Sequence, residues 1–96
     1  MKVRYTRRAL SELIAIADYI ATRNASAALK VEVTIRTTIK SLSEFPLLGR
    51  DRPDLEVRAL GVPRTPYTVY YRVEGDEVWI VHIRDGRRTP VTADNI

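Results

Sequence analysis

The sequence predicts an α+β fold: an N-terminal strand, a helical hairpin, and an antiparallel sheet of three to four strands covered on one face by that hairpin. Three observations predict it. Apolar residues in the first half recur at helical spacing over two stretches that meet near Asn24. From Val57 onward the period changes to two, in short β-branched and aromatic runs broken by Pro, Gly and Asp. The chain is 96 residues long, 45% apolar and 29% charged, which suits one ordered domain spanning residues 1–96 and excludes a disordered segment of that length.

Each element has a local justification. Val3 and Tyr5 alternate with charged neighbours, which gives a strand over Lys2–Tyr5. Thr6 is the N-cap of a first helix whose face carries Leu10, Leu13, Ile14, Ala17 and Ile20. Asn24 ends that helix and Ser26 caps the next, and a link this short favours two antiparallel helices. The segment from Ala27 to Glu44 is ambiguous. Val31, Val33, Ile35, Thr37 and Ile39 alternate as in a strand, while Ala28, Val31, Ile35, Ile39 and Leu42 form a helical stripe. Its length without Gly or Pro selects helix, and Pro46 ends it. Pro46–Glu56 reads as a surface connection. Strands then follow at Val57–Val62, Tyr67–Val73 and Val78–Ile83, the last two joined by a hairpin loop at Glu74–Glu77. The tail from Thr89 to Ile96 is polar and carries no readable signal.

Composition removes several chemistries. There is no Cys, hence no disulfide, thiolate nucleophile or Cys-ligated zinc. Asp and Glu do not cluster at metal-loop spacing, and the four glycines are too scattered for a phosphate loop. No cofactor or metal is therefore expected. No stretch reaches the roughly 20 apolar residues needed to span a bilayer, so no membrane association is expected and the cytoplasm is the expected location.

The charge is local. Lys and Arg total 16 against 12 Asp and Glu, a formal +4, and Lys2, Arg4, Arg7 and Arg8 account for that whole excess. A second basic cluster, Arg84, Arg87 and Arg88, is opposed by Asp85 and follows the Val78–Ile83 strand on a segment expected to be accessible. The two clusters meet if the first and last strands are neighbours. His82 is the only histidine, and alternation places it with Val78 and Ile80, opposite Trp79, Val81 and Ile83. It is either a structural group at a sheet margin or a general acid or base. Tyr67 and Tyr71 share one face and Tyr70 the other, as core residues or as stacking platforms. Arg58 and Arg72 are expected on the sheet face away from the helices.

The strings "RRALSELIAIADYIA" after the first strand, "PLLGR" at Pro46–Arg50, "VRAL" at Val57–Leu60, "PYTVYYRV" at Pro66–Val73 and "VHIRDGRR" at Val81–Arg88 occur together and in order. In that combination the chain resembles the RelE/ParE family of toxins from bacterial type II toxin–antitoxin pairs, on the ParE-like side. The resemblance implies a toxin neutralised by a cognate antitoxin, ParD-like or related, in a hetero-oligomeric complex. It implies DNA gyrase as the target, blocked by binding, with Arg84, Arg87, Arg88, Arg58 and Arg72 as target-binding candidates. The alternative it implies is a ribosome-dependent mRNA endonuclease, for which His82, Arg58 and Arg84 would be catalytic, or a non-toxic relic that still binds antitoxin. Tyr is absent after Tyr71, and Asp85 stands where ParE-like chains often carry His. The antitoxin-binding candidates are the stripe Leu10, Leu13, Ile14, Val31, Ile35 and Ile39, expected to be mostly buried with some apolar surface left at the hairpin and sheet edge.

Overall fold

A computed structural model describes residues 1–88 and 90–96. The elements run β1 (Lys2–Tyr5), α1 (Arg7–Ala21), α2 (Ala25–Lys40) with a 3₁₀ turn at Ser41–Ser43, β2 (Arg50–Arg52), β3 (Val57–Gly61), β4 (Tyr67–Glu74) and β5 (Glu77–Asp85). The α+β class and the helical hairpin are as the sequence predicts. The sheet is larger and mixed: five strands in the order β1-β5-β4-β3-β2. β1 pairs parallel to β5, and the other neighbours are antiparallel. Within the expected surface connection, Arg50–Arg52 pairs with Val57–Ala59, a short charged edge strand that hydropathy alternation does not reveal.

Thr6 caps α1 by accepting from the Ala9 backbone N–H. Asn24, rather than Ser26, caps α2 by accepting from Ala27. Asn24 thus opens the second helix instead of merely ending the first, which shortens the link further. α2 resolves as helix despite its β-branched run, because Ala28, Ile35 and Ile39 fall on one buried stripe continued by Leu42. The β4–β5 turn is two residues long, and Gly75 supplies its left-handed conformation at φ +60°.

Two apolar layers flank the sheet. The main core joins Ala9 and Leu13 of α1, Ile35 and Ile39 of α2, and Val69, Tyr71, Val78, Ile80 and Ile83 of the sheet. The opposite face is not a bare polar surface. Leu55, Val57, Tyr70 and Val81 form a second cluster there, covered by Val91 and flanked by Trp79 and Ile96. Thr89 lies outside the described residues, but the rest of the tail is therefore structural: it supplies Val91 and Ile96 to this second layer.

The connection after α2 is pinned by Tyr71. Its buried hydroxyl donates to the Pro46 carbonyl at 2.8 Å and accepts from the Gly49 N–H at 2.8 Å. A Cβ at Gly49 would meet the Tyr71 ring at 2.7 Å, so the close approach requires glycine. Tyr71→Phe should cost about 1–3 kcal/mol by leaving two loop groups unpaired, and Gly49→Ala about 1–3 kcal/mol by overpacking. Urea unfolding of both variants checks this, and because they disturb the same contact their combined effect should fall short of the sum.

Candidate functional site

The site lies where β1 stops. Tyr5 is its last residue to pair with β5, opposite Ile80, and the Thr6 N–H still donates to the Ile80 carbonyl at 3.0 Å. Beyond that point β5 has no strand on its outer side, and α1 runs alongside it instead. Glu12 of α1 fills the gap: its carboxylate accepts from the Ile83 backbone N–H at 2.9 Å and lies 2.7 Å from Nδ1 of His82, close but not aligned as a hydrogen bond. Arg8, one turn earlier, pairs with Glu12 at 3.5 Å and approaches Nε2 of His82 at 3.5 Å. The same guanidinium donates to the carbonyls of Asn95 at 2.6 Å and Ile96 at 2.9 Å. One arginine thereby ties the start of α1 to the end of the chain.

His82 does not stand where alternation puts it. β5 carries a bulge: Tyr70 pairs with His82 and Tyr71 with Ile80, so Val81 is an extra residue. Ile83 consequently joins Val78 and Ile80 on the helix-covered side, and His82 opposes Tyr70, with the two rings stacked at 5.6 Å. His82 is 5% exposed. Burial pushes the Glu12 carboxyl up, but contact with His82, the Ile83 N–H and the charge of Arg8 outweigh it and hold the group below the usual carboxylate range.

Beside His82 and Ile83 a groove opens. It encloses about 670 Å³ between Glu12, Ala15, Ile16 and Tyr19 of α1 and the end of β5 from His82 to Asp85, with Tyr67, Arg87 and Arg88 completing its wall. Arg84 belongs to β5 itself, paired opposite Thr68, rather than following the strand. Arg87 is exposed yet held in place: its guanidinium forks onto Asp85 at 3.1 and 2.8 Å, and its backbone N–H donates to the same carboxylate. Those bonds lower the Asp85 carboxyl to about 2. At the far end Arg23 stacks over the Tyr19 ring at 4.3 Å.

The other candidates fall apart spatially. Arg72 lies opposite Trp79 on the side away from the helices, as expected, and donates to the Glu56 carbonyl at 3.0 Å. Arg58 does not share that side. It pairs opposite Tyr71 and donates to the Gly49 carbonyl at 2.8 Å, bracing the loop. Arg58 is two strands away from His82, so His82, Arg58 and Arg84 do not form one constellation. Among the apolar candidates, Leu13, Ile35 and Ile39 are fully buried core residues and present no surface to a partner, while Val31 is partly buried. Leu10 and Ile14 remain 42% and 50% exposed on α1, with Leu29 and Val33 exposed on α2. Glu12 and Tyr19 escaped the sequence reading, and Arg8 entered it only as part of the N-terminal basic cluster. The i,i+4 spacing of Arg8 and Glu12 was a visible signal, but an ion pair on a helix is ordinarily a solvated one.

The family model described as the ParE toxin of the type II toxin–antitoxin system parDE matches residues 3–90. The chain is 37% identical over 87 residues to Toxin RelE2 of Caulobacter vibrioides, covering 91% of this chain and 97% of that one. It is 43% identical over 53 residues to Toxin ParE3 of the same organism, covering 55% and 53% respectively. In solved structures it is similar to a chain of the chromosomal ParDE toxin–antitoxin system of P. aeruginosa, with a TM-score of 0.78, 32% identity, and coverage of 88% of this chain and 95% of that chain. The chain belongs to the ParE toxin family.

Two carboxylates make the site acid-sensitive. A carboxyl lowered by folding contributes stability that is fully present above its unfolded value and is lost as pH falls through its folded one. Asp85 should therefore stabilise the protein at neutral pH and lose that contribution between its ordinary value of 3.8 and about 2. The melting-temperature difference between the parent and Asp85→Asn should shrink over that interval. Glu12→Ala should cost about 1–3 kcal/mol at neutral pH by stranding the Ile83 N–H, and this deficit should narrow below the usual carboxylate range.

Proposed function

We propose that this toxin arrests growth by binding DNA gyrase, without bond-making chemistry of its own, and that a cognate ParD-like antitoxin neutralises it. The observation that carries the reading is the commitment of the candidate nuclease groups. His82 is buried between Glu12 and Tyr70, and Arg58 braces a loop two strands away. A general acid or base needs access to its substrate, and transition-state cations need to converge on one point. The membership in the ParE family, and the ParDE system to which the similar structure belongs, support the same reading.

Antitoxin recognition falls to the exposed apolar line of the hairpin. Leu10 and Ile14 are separated by one turn of α1, the spacing an amphipathic partner segment reads. On α2, Val33 continues into a shallow depression with Leu48, Leu60 and Pro63. Leu10→Asp with Ile14→Asp should weaken antitoxin binding by at least about 100-fold, the scale of two anchor residues, with folding unchanged because both side chains are exposed.

Target assignment is tested by inducing the toxin while following DNA and protein synthesis separately, and by adding purified toxin to gyrase in a supercoiling assay. DNA synthesis should fall first and supercoiling should be inhibited. His82→Gln, which keeps a polar group for Glu12, should retain killing, whereas a catalytic acid or base would lose roughly 10²–10⁴-fold in rate. Early loss of protein synthesis with mRNA cleavage in the ribosomal A site, abolished by His82→Gln, would replace this reading with the endonuclease one.

A further inference from the structure

We propose that Arg8, Glu12 and His82 form a pH-sensitive latch on the C-terminal tail: a proton on His82 drives the Arg8 guanidinium off residues 90–96, and the tail lifts from the apolar sheet face it covers. The inference goes beyond the reading that the toxin acts by binding, and it does not depend on the target.

The tail is built as a strap. Val91 is buried with Leu55, Val57, Tyr70 and Val81 in the second apolar layer, and Ile96 packs half-buried against the same cluster. Its own hydrogen bonds fold it back on itself: the Thr92 N–H donates to Asn95 Oδ1 at 2.9 Å, and the Asn95 N–H donates to the Thr92 carbonyl at 3.1 Å. Among the described residues, 90–96 pair with no strand, and the hydrogen bonds that tie them to the body come from Arg8. Its Nη2 donates to the Asn95 carbonyl at 2.6 Å and its Nη1 to the Ile96 carbonyl at 2.9 Å. A segment held by two apolar side chains and one guanidinium opens well below the cost of global unfolding.

The latch and the histidine share an atom. The Nη2 that holds Asn95 also stands 3.5 Å from Nε2 of His82. With Glu12 Oε2 2.7 Å from Nδ1, the neutral ring keeps its proton on Nδ1 and turns the Nε2 lone pair to Arg8. A second proton goes to Nε2. It converts that acceptor into a donor and sets an imidazolium against a guanidinium at the same 3.5 Å. The charged ring also competes for Glu12, whose carboxylate lies 3.5 Å from Arg8 Nε. One carboxylate does not compensate two cations. Arg8 has 43% of its side chain exposed and can move into water, whereas His82 is enclosed.

The other groups around the ring do not restore the balance. β4 contributes Tyr70, stacked on the ring at 5.6 Å, and Tyr67 in the groove wall. On β5 itself, Arg84 adds positive charge and is engaged elsewhere. Across the groove, Asp85 is held in its fork with Arg87, and Arg88 is cationic. The tail's one titratable side chain, Asp94, is exposed.

The test follows the methyl signals of Val91 and Ile96 by NMR in the full-length toxin, from about pH 8 to about pH 5, the interval in which histidine changes charge. In the parent both should move toward unstructured-chain positions as pH falls, while the signals of Ile35 and Ile39 in the main core stay fixed. Arg8→Ala, at an exposed position, should show the released signals at every pH. His82→Gln, which cannot take up the proton, should show the latched signals at every pH. The proposal is overturned if the parent's tail signals stay fixed across the interval, or move only together with those of the core. It is equally overturned if Arg8→Ala keeps the tail latched at the alkaline end, or if His82→Gln still responds to acid.

Discussion

One carboxylate holds the functional end of this protein together. Because β1 is only four residues long, β5 outgrows its parallel neighbour and exposes main-chain groups on an edge. Glu12 satisfies the first of them and at the same time receives the buried His82. Left unpaired, that part-buried N–H would carry the cost of a lost hydrogen bond. By bridging strand and helix, Glu12 sets the distance between α1 and β5, and the groove beyond it has the width that this distance leaves. Arg8 then locks the arrangement from the other side through the C-terminal carbonyls.

The fold was legible where periodicity was strong. The stripe of α1, the alternation of β4 and β5 and the two-residue turn at Gly75 all carry signals over several residues. α2 resolved correctly because continuity without Gly or Pro outweighed its β-branched content. β2 was invisible, since a three-residue strand of Arg-Asp-Arg has no apolar face to alternate. The bulge at Val81 was equally invisible: a run of apolar residues around His82 looks the same with or without one residue out of step. That single insertion moved Ile83 across the sheet and changed the neighbours of His82.

The site was legible only in part, for a different reason. The sequence pointed to Arg84, Arg87, Arg88 and His82 because charged residues and a lone histidine stand out. It could not show that Asp85 already engages Arg87, or that Arg58 turns inward to brace Leu47 and Gly49. Candidate apolar contacts were overcounted on the same grounds. A helical stripe marks the buried face, so Leu13, Ile35 and Ile39 were core, and the surface accessible to a partner lies on residues flanking that stripe.

The bulge makes chain length, and not only residue identity, a variable in β5. Tyr71 pairs with Ile80 and Tyr70 with His82, so removing Val81 alone would leave every other pair of the hairpin in place. Elsewhere in the strand a one-residue deletion would turn each following side chain to the wrong face. Homologous chains one residue shorter at this point can therefore keep the helix-covered core and the Glu12 bridge intact, losing a single apolar contact beneath the C-terminal tail. An alignment that places such a gap beyond Arg84 would assign that arginine to the wrong side of the sheet.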